Sequence, residues 1–280
     1  MVGLHPLEVP IGVRIPVRQI LLFHHIITMH ENQIVIKDLT ISYYSQGTEG
    51  IQLLYLHGWK SNKNLFQKVG NILQNKYQII AVDLPGFGHS QIPSQPYYIE
   101  KFVEFVIDFI RALNLKDVVI VGHSMGGRIF PLLTNDSHVI GFIGTGPAGL
   151  PQRENFKMKV SRLFLRTPIL KYTKVLIPEK IKDLIRSKDF RESSGFHRET
   201  IKNILKQDMT ANIKEINKPT LLIWGKDDDQ SPIWMAYKWH EYIQNSTLKI
   251  IENCGHFPER DFPEKTAQYI EDFIQRNLVD

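Results

Sequence analysis

Apolar and polar positions follow two different periods along this chain. Gln33–Lys37 and Leu39–Tyr44 alternate about Lys37-Asp38, a pattern that predicts a β-hairpin. Short continuous apolar runs follow at Ile51–Leu56, Gln78–Val82, Val118–Val121, Val139–Ile143, Thr220–Trp224 and Leu248–Ile251. Each reads as a strand buried on both faces. Helical patterns lie between them. The clearest sets Phe102, Phe105, Val106, Phe109, Ile110 and Leu113 on one face. Strands alternating with helices predict an α/β fold, a mostly parallel sheet with helices on both sides. The alternation lapses between Leu150 and about Asn212, where only helical patterns remain, one of them carrying Phe156, Val160, Leu163 and Phe164 on one face. That stretch predicts a helical insertion between two strands. Residues 1–19 contain Pro6, Pro10 and Pro16 and no period, and the apolar run Ile20–Met29 is broken by His24 and His25. Residues 1–30 are therefore expected to be a poorly ordered extension. Neither a signal peptide's unbroken apolar core nor its small-residue cleavage site is clear there.

Composition narrows the class. Of 280 residues, 42% are hydrophobic and 22% charged, which excludes a wholly disordered chain and a fibre. No run approaches the roughly 20 apolar residues of a membrane span. The single cysteine, Cys254, permits no internal disulfide, so a reducing, cytoplasmic setting is expected. A net charge of +5 is too mild to indicate nucleic acid as a partner.

The chemistry clusters where strands end. Val118–Val121 runs straight into Gly122-His123-Ser124-Met125-Gly126-Gly127, a G-x-S-x-G sequence between a buried strand and a predicted helix. In that context Ser124 sits on a tight turn with its hydroxyl above the sheet, and its glycine neighbours allow strand and helix to approach closely. The helix would also aim its positive end at the serine. Pro131, past the first turn, predicts that this helix is short or kinked. Other strands end at His57-Gly58-Trp59, at Asp83-Leu84-Pro85-Gly86-Phe87-Gly88-His89-Ser90, and at Trp224-Gly225-Lys226-Asp227-Asp228-Asp229-Gln230-Ser231-Pro232, with Gly255-His256-Phe257-Pro258 last. In an open parallel sheet these ends share one edge, so a serine, an acid and a histidine converge there.

These motifs, in this order and context, resemble the α/β-hydrolase superfamily in its single-chain, helical-cap branch, from about Gln33 to the C-terminus. The resemblance implies an α/β-hydrolase core over 31–148 and 212–280 with a helical cap over 149–211. It implies Ser124 as nucleophile, His256 as general base and Asp228 as the triad acid, since the pattern W-G-x-x-D-x-x-x-P lands on Asp228 and Pro232. The backbone N–H groups of Trp59 and Met125 would form the oxyanion hole. The residue chemistry agrees: a serine hydroxyl needs a base to take its proton, and imidazole titrates near pH 6.5. A buried carboxylate then holds the ring in the right tautomer.

Several competing readings attach to the same residues. Three consecutive aspartates usually make a solvated turn, and Asp228 is preferred over Asp227 and Asp229 on register alone. His57 and His123 lie inside glycine motifs, where hydrogen bonding or packing is the expected role. Cys254 precedes His256 by two residues, and a Cys-His nucleophile pair is a weaker alternative to Ser124. Gly86-Phe87-Gly88 reads as a turn, not a dinucleotide site, so no cofactor is implied. His24-His25 has no accompanying ligand cluster, so no metal is expected. Between Arg153 and Lys188 eleven basic residues face three acidic ones, a net of +8 against −3 for the rest. That excess is either a solvated helix face or a field that attracts an anionic substrate or lipid surface. The leading expectation is a cofactor-independent serine hydrolase acting on a small-molecule carboxylic ester or similar acyl substrate. A triad enzyme for a C–C bond or an amide, and a non-catalytic ligand-binding protein, are the alternatives.

Overall fold

A hairpin opens the described chain. Strands β1 (Glu31–Ile36) and β2 (Leu39–Gly47) pair antiparallel about Lys37 and Asp38, whose φ values of 45° and 66° give the turn the left-handed backbone that suits strand twist. The computed structural model describes residues 31–47, 50–151 and 193–279. The expected extension over 1–30, the amphipathic pattern Phe156–Phe164 and the basic stretch Arg153–Lys188 lie outside the described residues.

Six parallel strands follow: β3 (Gln52–Leu56), β4 (Gln78–Val82), β5 (Val118–His123), β6 (Val139–Thr145), β7 (Thr220–Gly225) and β8 (Ser246–Ile251). The sheet order is β1-β2-β4-β3-β5-β6-β7-β8, with every pair from β4 through β8 parallel. From β3 the chain steps to β4 on one side and then returns to β5 on the other. The reversal leaves a crevice beyond the C-terminal ends of β3 and β5, where open α/β sheets bind ligands.

Alternation along the strands divides the core in two. Leu54, Leu56, Ile80 and Val82 pack with Phe102, Val106 and Phe109 of α2 (Ile99–Ala112) and with Trp239 of α5 (Ile233–Tyr242). On the other face Leu53, Tyr55, Ile79 and Ala81 meet Val69 and Leu73 of α1 (Gln67–Leu73) and Ile270 and Phe273 of α7 (Pro263–Asn277). Two features depart from expectation. Leu248–Ile251 is not a strand buried on both faces: β8 is the sheet's edge, and only Ile251 is fully buried. After Ser124 the chain makes two short 3₁₀ turns, Ser124–Arg128 and Phe130–Leu133, in place of an α-helix. Pro131 sits in the second turn without an N–H to continue an α-helical ladder. The element is short, as Pro131 indicated, but no extended helix points a dipole at the serine.

The described part of the insertion is helical, comprising α3 (Gly195–Lys206) and α4 (Thr210–Lys214) before β7. Arg128, buried in the first 3₁₀ turn, donates to the carbonyls of Ile204 (2.8 Å) and Gln207 (3.0 Å) and so satisfies the end of α3. Among the described residues no helix is long and apolar enough to cross a membrane.

Candidate active site

Ser124 leaves β5 with φ of +48°, a left-handed backbone that a serine adopts at a cost of order 1–3 kcal/mol. The surroundings enforce it. A Cβ on Gly122 would lie 2.8 Å from the Gly126 carbonyl, and one on Gly126 would lie 2.1 Å from Leu56 O. The elbow is therefore pressed between its own strand and the end of β3. Ser124 is half-buried, and Met125, the next residue, lies in the first part of the 3₁₀ turn, where the N–H groups lack intrahelical acceptors.

The loop after β3 approaches from the other side. A Cβ on Gly58 would be 3.1 Å from Ser124 Cβ, so only glycine lets residues 57–59 reach the elbow. His57 braces that loop: its Nδ1–H donates to Gly58 O (2.7 Å) and its Nε2 accepts Leu84 N–H (3.0 Å). Full burial pushes its pKa down to about 4, so it stays neutral and holds this tautomer. In the loop after β4, Asp83 accepts from the Lys63 backbone N–H (2.7 Å), from Lys63 Nζ (2.7 Å) and from the His89 N–H (2.8 Å). Gly86 and Gly88 both have positive φ, which makes 83–90 the turn that the glycines implied. Asp83 thus ties this turn to the loop that carries Trp59. The Trp59 indole stands edge-on to Phe87 at 5.0 Å, and His197 of α3 closes the cluster by donating Nε2–H to Gly86 O (2.7 Å). A cleft of about 580 Å³ opens outside this aromatic wall, between Lys60–Asn62 and Gly86–Ser90.

The acid and the histidine arrive on the loops after β7 and β8. His256 Nδ1 lies 2.7 Å from Asp228 Oδ2, and both residues are buried. The other carboxylate oxygen accepts the backbone N–H groups of Gln230 (2.9 Å) and Ser231 (2.8 Å), so the loop's own turn orients Asp228. Asp227 and Asp229 are exposed. Of the three aspartates, Asp228 is the one that meets His256. Gly146, with φ of +52°, backs the pair: a Cβ there would stand 3.0 Å from Asp228 Oδ2 and 3.3 Å from His256 Nδ1. The sequence reading passed over this glycine, since only the folded pair reveals its need to be small.

The remaining candidates separate. Cys254 is buried, and burial followed by its acidic neighbours pushes the thiol up to about 12. A thiol that stays protonated is no nucleophile, so the Cys-His alternative is withdrawn. His123 is buried beneath the elbow with its ring 4.7 Å from that of His256.

The family model for the alpha/beta hydrolase family matches residues 53–269. The chain belongs to that family. Across the alpha/beta hydrolases this chain is 30% identical over 251 residues to the uncharacterised hydrolase YugF of Bacillus subtilis, covering 80% of this chain and 89% of that protein. It is 29% identical to the 2-hydroxy-6-oxo-6-(2'-aminophenyl)hexa-2,4-dienoic acid hydrolase of Metapseudomonas resinovorans, covering 83% and 87%. Among solved structures it resembles an esterase, EaEST, from Exiguobacterium antarcticum, at a TM-score of 0.70 and 26% identity over 88% of this chain and 100% of that one. The protein is therefore a hydrolase of this family, with relatives that include an esterase.

Proposed function

We propose that this hydrolase cleaves a carboxylic ester or similar acyl compound through an acyl-enzyme on Ser124. The observation that carries the reading is the buried Asp228–His256 hydrogen bond of 2.7 Å, with Ser124 on a strained elbow beyond the same sheet edge. In this reading His256 Nε2 takes the Ser124 proton as Oγ attacks the acyl carbon, and Asp228 stabilises the imidazolium that forms. The N–H groups of Met125 and Trp59 hold the oxyanion. His256 then protonates the leaving alcohol, and water, activated by the same ring, releases the acid. The insertion, 149–211 in sequence, would cover the pocket and select the acyl group, and no cofactor takes part. A second reading, cleavage of a C–C bond in a dienoic acid, is favoured by the Metapseudomonas relative and uses the same three residues.

Labelling by a fluorophosphonate tests the nucleophile. The wild-type protein should be labelled and should hydrolyse p-nitrophenyl esters, and Ser124→Ala should lose both. Retention of ester hydrolysis by Ser124→Ala would overturn the proposal. A panel pairing acyl esters of increasing length with a dienoic keto acid separates ester from C–C chemistry.

A further inference from the structure

Beneath the Asp228–His256 pair lies a second carboxylate–histidine pair that the reaction above does not use. Glu259 sits three residues after His256, in the one-turn helix α6 (Pro258–Asp261), and is fully buried. Its Oε1 gathers three donors from three different strands: His123 Nδ1–H at 2.9 Å from β5, Tyr55 O–H at 2.9 Å from β3 and Thr145 O–H at 3.3 Å from β6. Its Oε2 has no partner among the described residues. His123 also reaches Thr145 O at 3.1 Å through Nδ1, so this nitrogen carries the proton. The His123 ring then lies tilted against His256, with centroids 4.7 Å apart.

Burying a carboxylate is expensive, and a hydrophobic packing of the same space would be cheaper. Burial alone would raise the pKa of Glu259, yet His123, then a backbone N–H and then Tyr55 outweigh it and hold the carboxyl below the usual range. The other titratable or charged groups around it are Asp228 from the loop after β7, Cys254 before His256, and Arg260 beside it on α6. Asp228 already bonds the far side of the His256 ring, Cys254 keeps its proton, and Arg260 is exposed.

We propose that Glu259 is a positioning residue for His256: through its bond to His123 it joins the strand that carries Ser124 to the loop that carries the base, and its negative charge supports the imidazolium formed during attack. The inference rests on the serine-hydrolase reading. Geometry explains the link. His123 immediately precedes the nucleophile, Glu259 closely follows the base, and the bond between them spans β5 and α6 where β3 and β6 close in from either side.

Glu259→Gln keeps the shape and an acceptor for Tyr55 and His123 but removes the charge. With a p-nitrophenyl ester, and rates expressed per fluorophosphonate-titrated site, kcat should fall about tenfold with KM unchanged. The acid limb of kcat/KM should move to lower pH by about one unit, because His256 loses a nearby anion. If Glu259→Gln leaves the limb unmoved or shifts it upward, the proposal fails. A merely structural Glu259 would lower the melting temperature and the number of titratable sites without moving the limb. Failure of the serine-hydrolase reading is distinguishable, since Ser124→Ala would then keep its turnover. Should Glu259→Gln not fold, direct titration of the His256 ring by NMR in wild type and in Tyr55→Phe tests the same point. Loss of one donor weakens the hold on the anion, so the His256 pKa should change, and identical titrations would overturn the proposal.

Discussion

At the scale of single residues, the three aspartates after β7 carry the most direct prediction. Only Asp228 bonds His256, so Asp228→Asn should lower kcat by about 10⁴ while Asp227→Asn and Asp229→Asn leave it nearly unchanged. A large loss at either neighbour, measured with one ester under saturating conditions, would refute the pairing. Gly146 makes a stricter test of the same site. A methyl at this position meets Asp228 Oδ2 at 3.0 Å on a left-handed backbone, so Gly146→Ala should cost at least tenfold in kcat and about 1 kcal/mol or more in stability. His57 gives a prediction in pH. Its pKa is about 4 when folded and about 6.5 when free, so the unfolded chain binds more protons between those values. Stability contributed by keeping it neutral is present above about pH 6.5 and is lost as pH falls towards 4. His57→Gln, which can still donate and accept, should flatten the melting temperature over that window, and an unchanged slope would count against the assignment.

At the scale of elements, Arg128 is the connection most open to test. It lies in the turn after Ser124 and satisfies carbonyls at the end of α3, and burial drives its pKa down to about 10 without neutralising it. Arg128→Met leaves two carbonyls without their donor, which should cost about 1–3 kcal/mol in denaturant unfolding. Because α3 also seats Phe196 and His197 against the Gly86 turn, KM for a long-chain ester should rise more than KM for an acetate. Equal changes for both esters would confine Arg128 to stability. Hairpin, strands and the α2 helix were legible in the sequence to within a few residues, since each has a period that local chemistry enforces. The turn after Ser124 was legible only in part. Pro131 signalled an early end, but the 3₁₀ geometry follows from how closely Gly122 and Gly126 are pressed by β5 and β3.

At the scale of the whole molecule, charge is unevenly distributed along the chain, with +8 between Arg153 and Lys188 against −3 elsewhere. If that excess steers substrate, kcat/KM for an anionic ester should fall with added salt as the Debye length shrinks to ~10 Å at 0.1 M, and a neutral ester should show no such fall. Reversing Lys157, Lys159 and Arg162 to glutamate should flatten the dependence with little change in kcat, because steering acts on encounter and not on acyl transfer. Parallel salt profiles for the two esters would return the basic stretch to a solvated face.

The sequence by itself determined the α/β class, the strand ends as the seat of chemistry, and the identities of Ser124, Asp228 and His256 as the residues to watch. The class and the strand ends follow from periodicity, which acts over a few residues, and the three residues from the resemblance of their short motifs to the α/β-hydrolase pattern. Only the tertiary structure decided which aspartate oxygen meets His256, why Gly146 must be bare, and that β8 is an edge strand. It alone revealed Glu259, whose partners Tyr55, His123 and Thr145 stand 204, 136 and 114 residues away. No local pattern marks such a residue, because the cost of burying its charge is met by donors that only the closed sheet brings together.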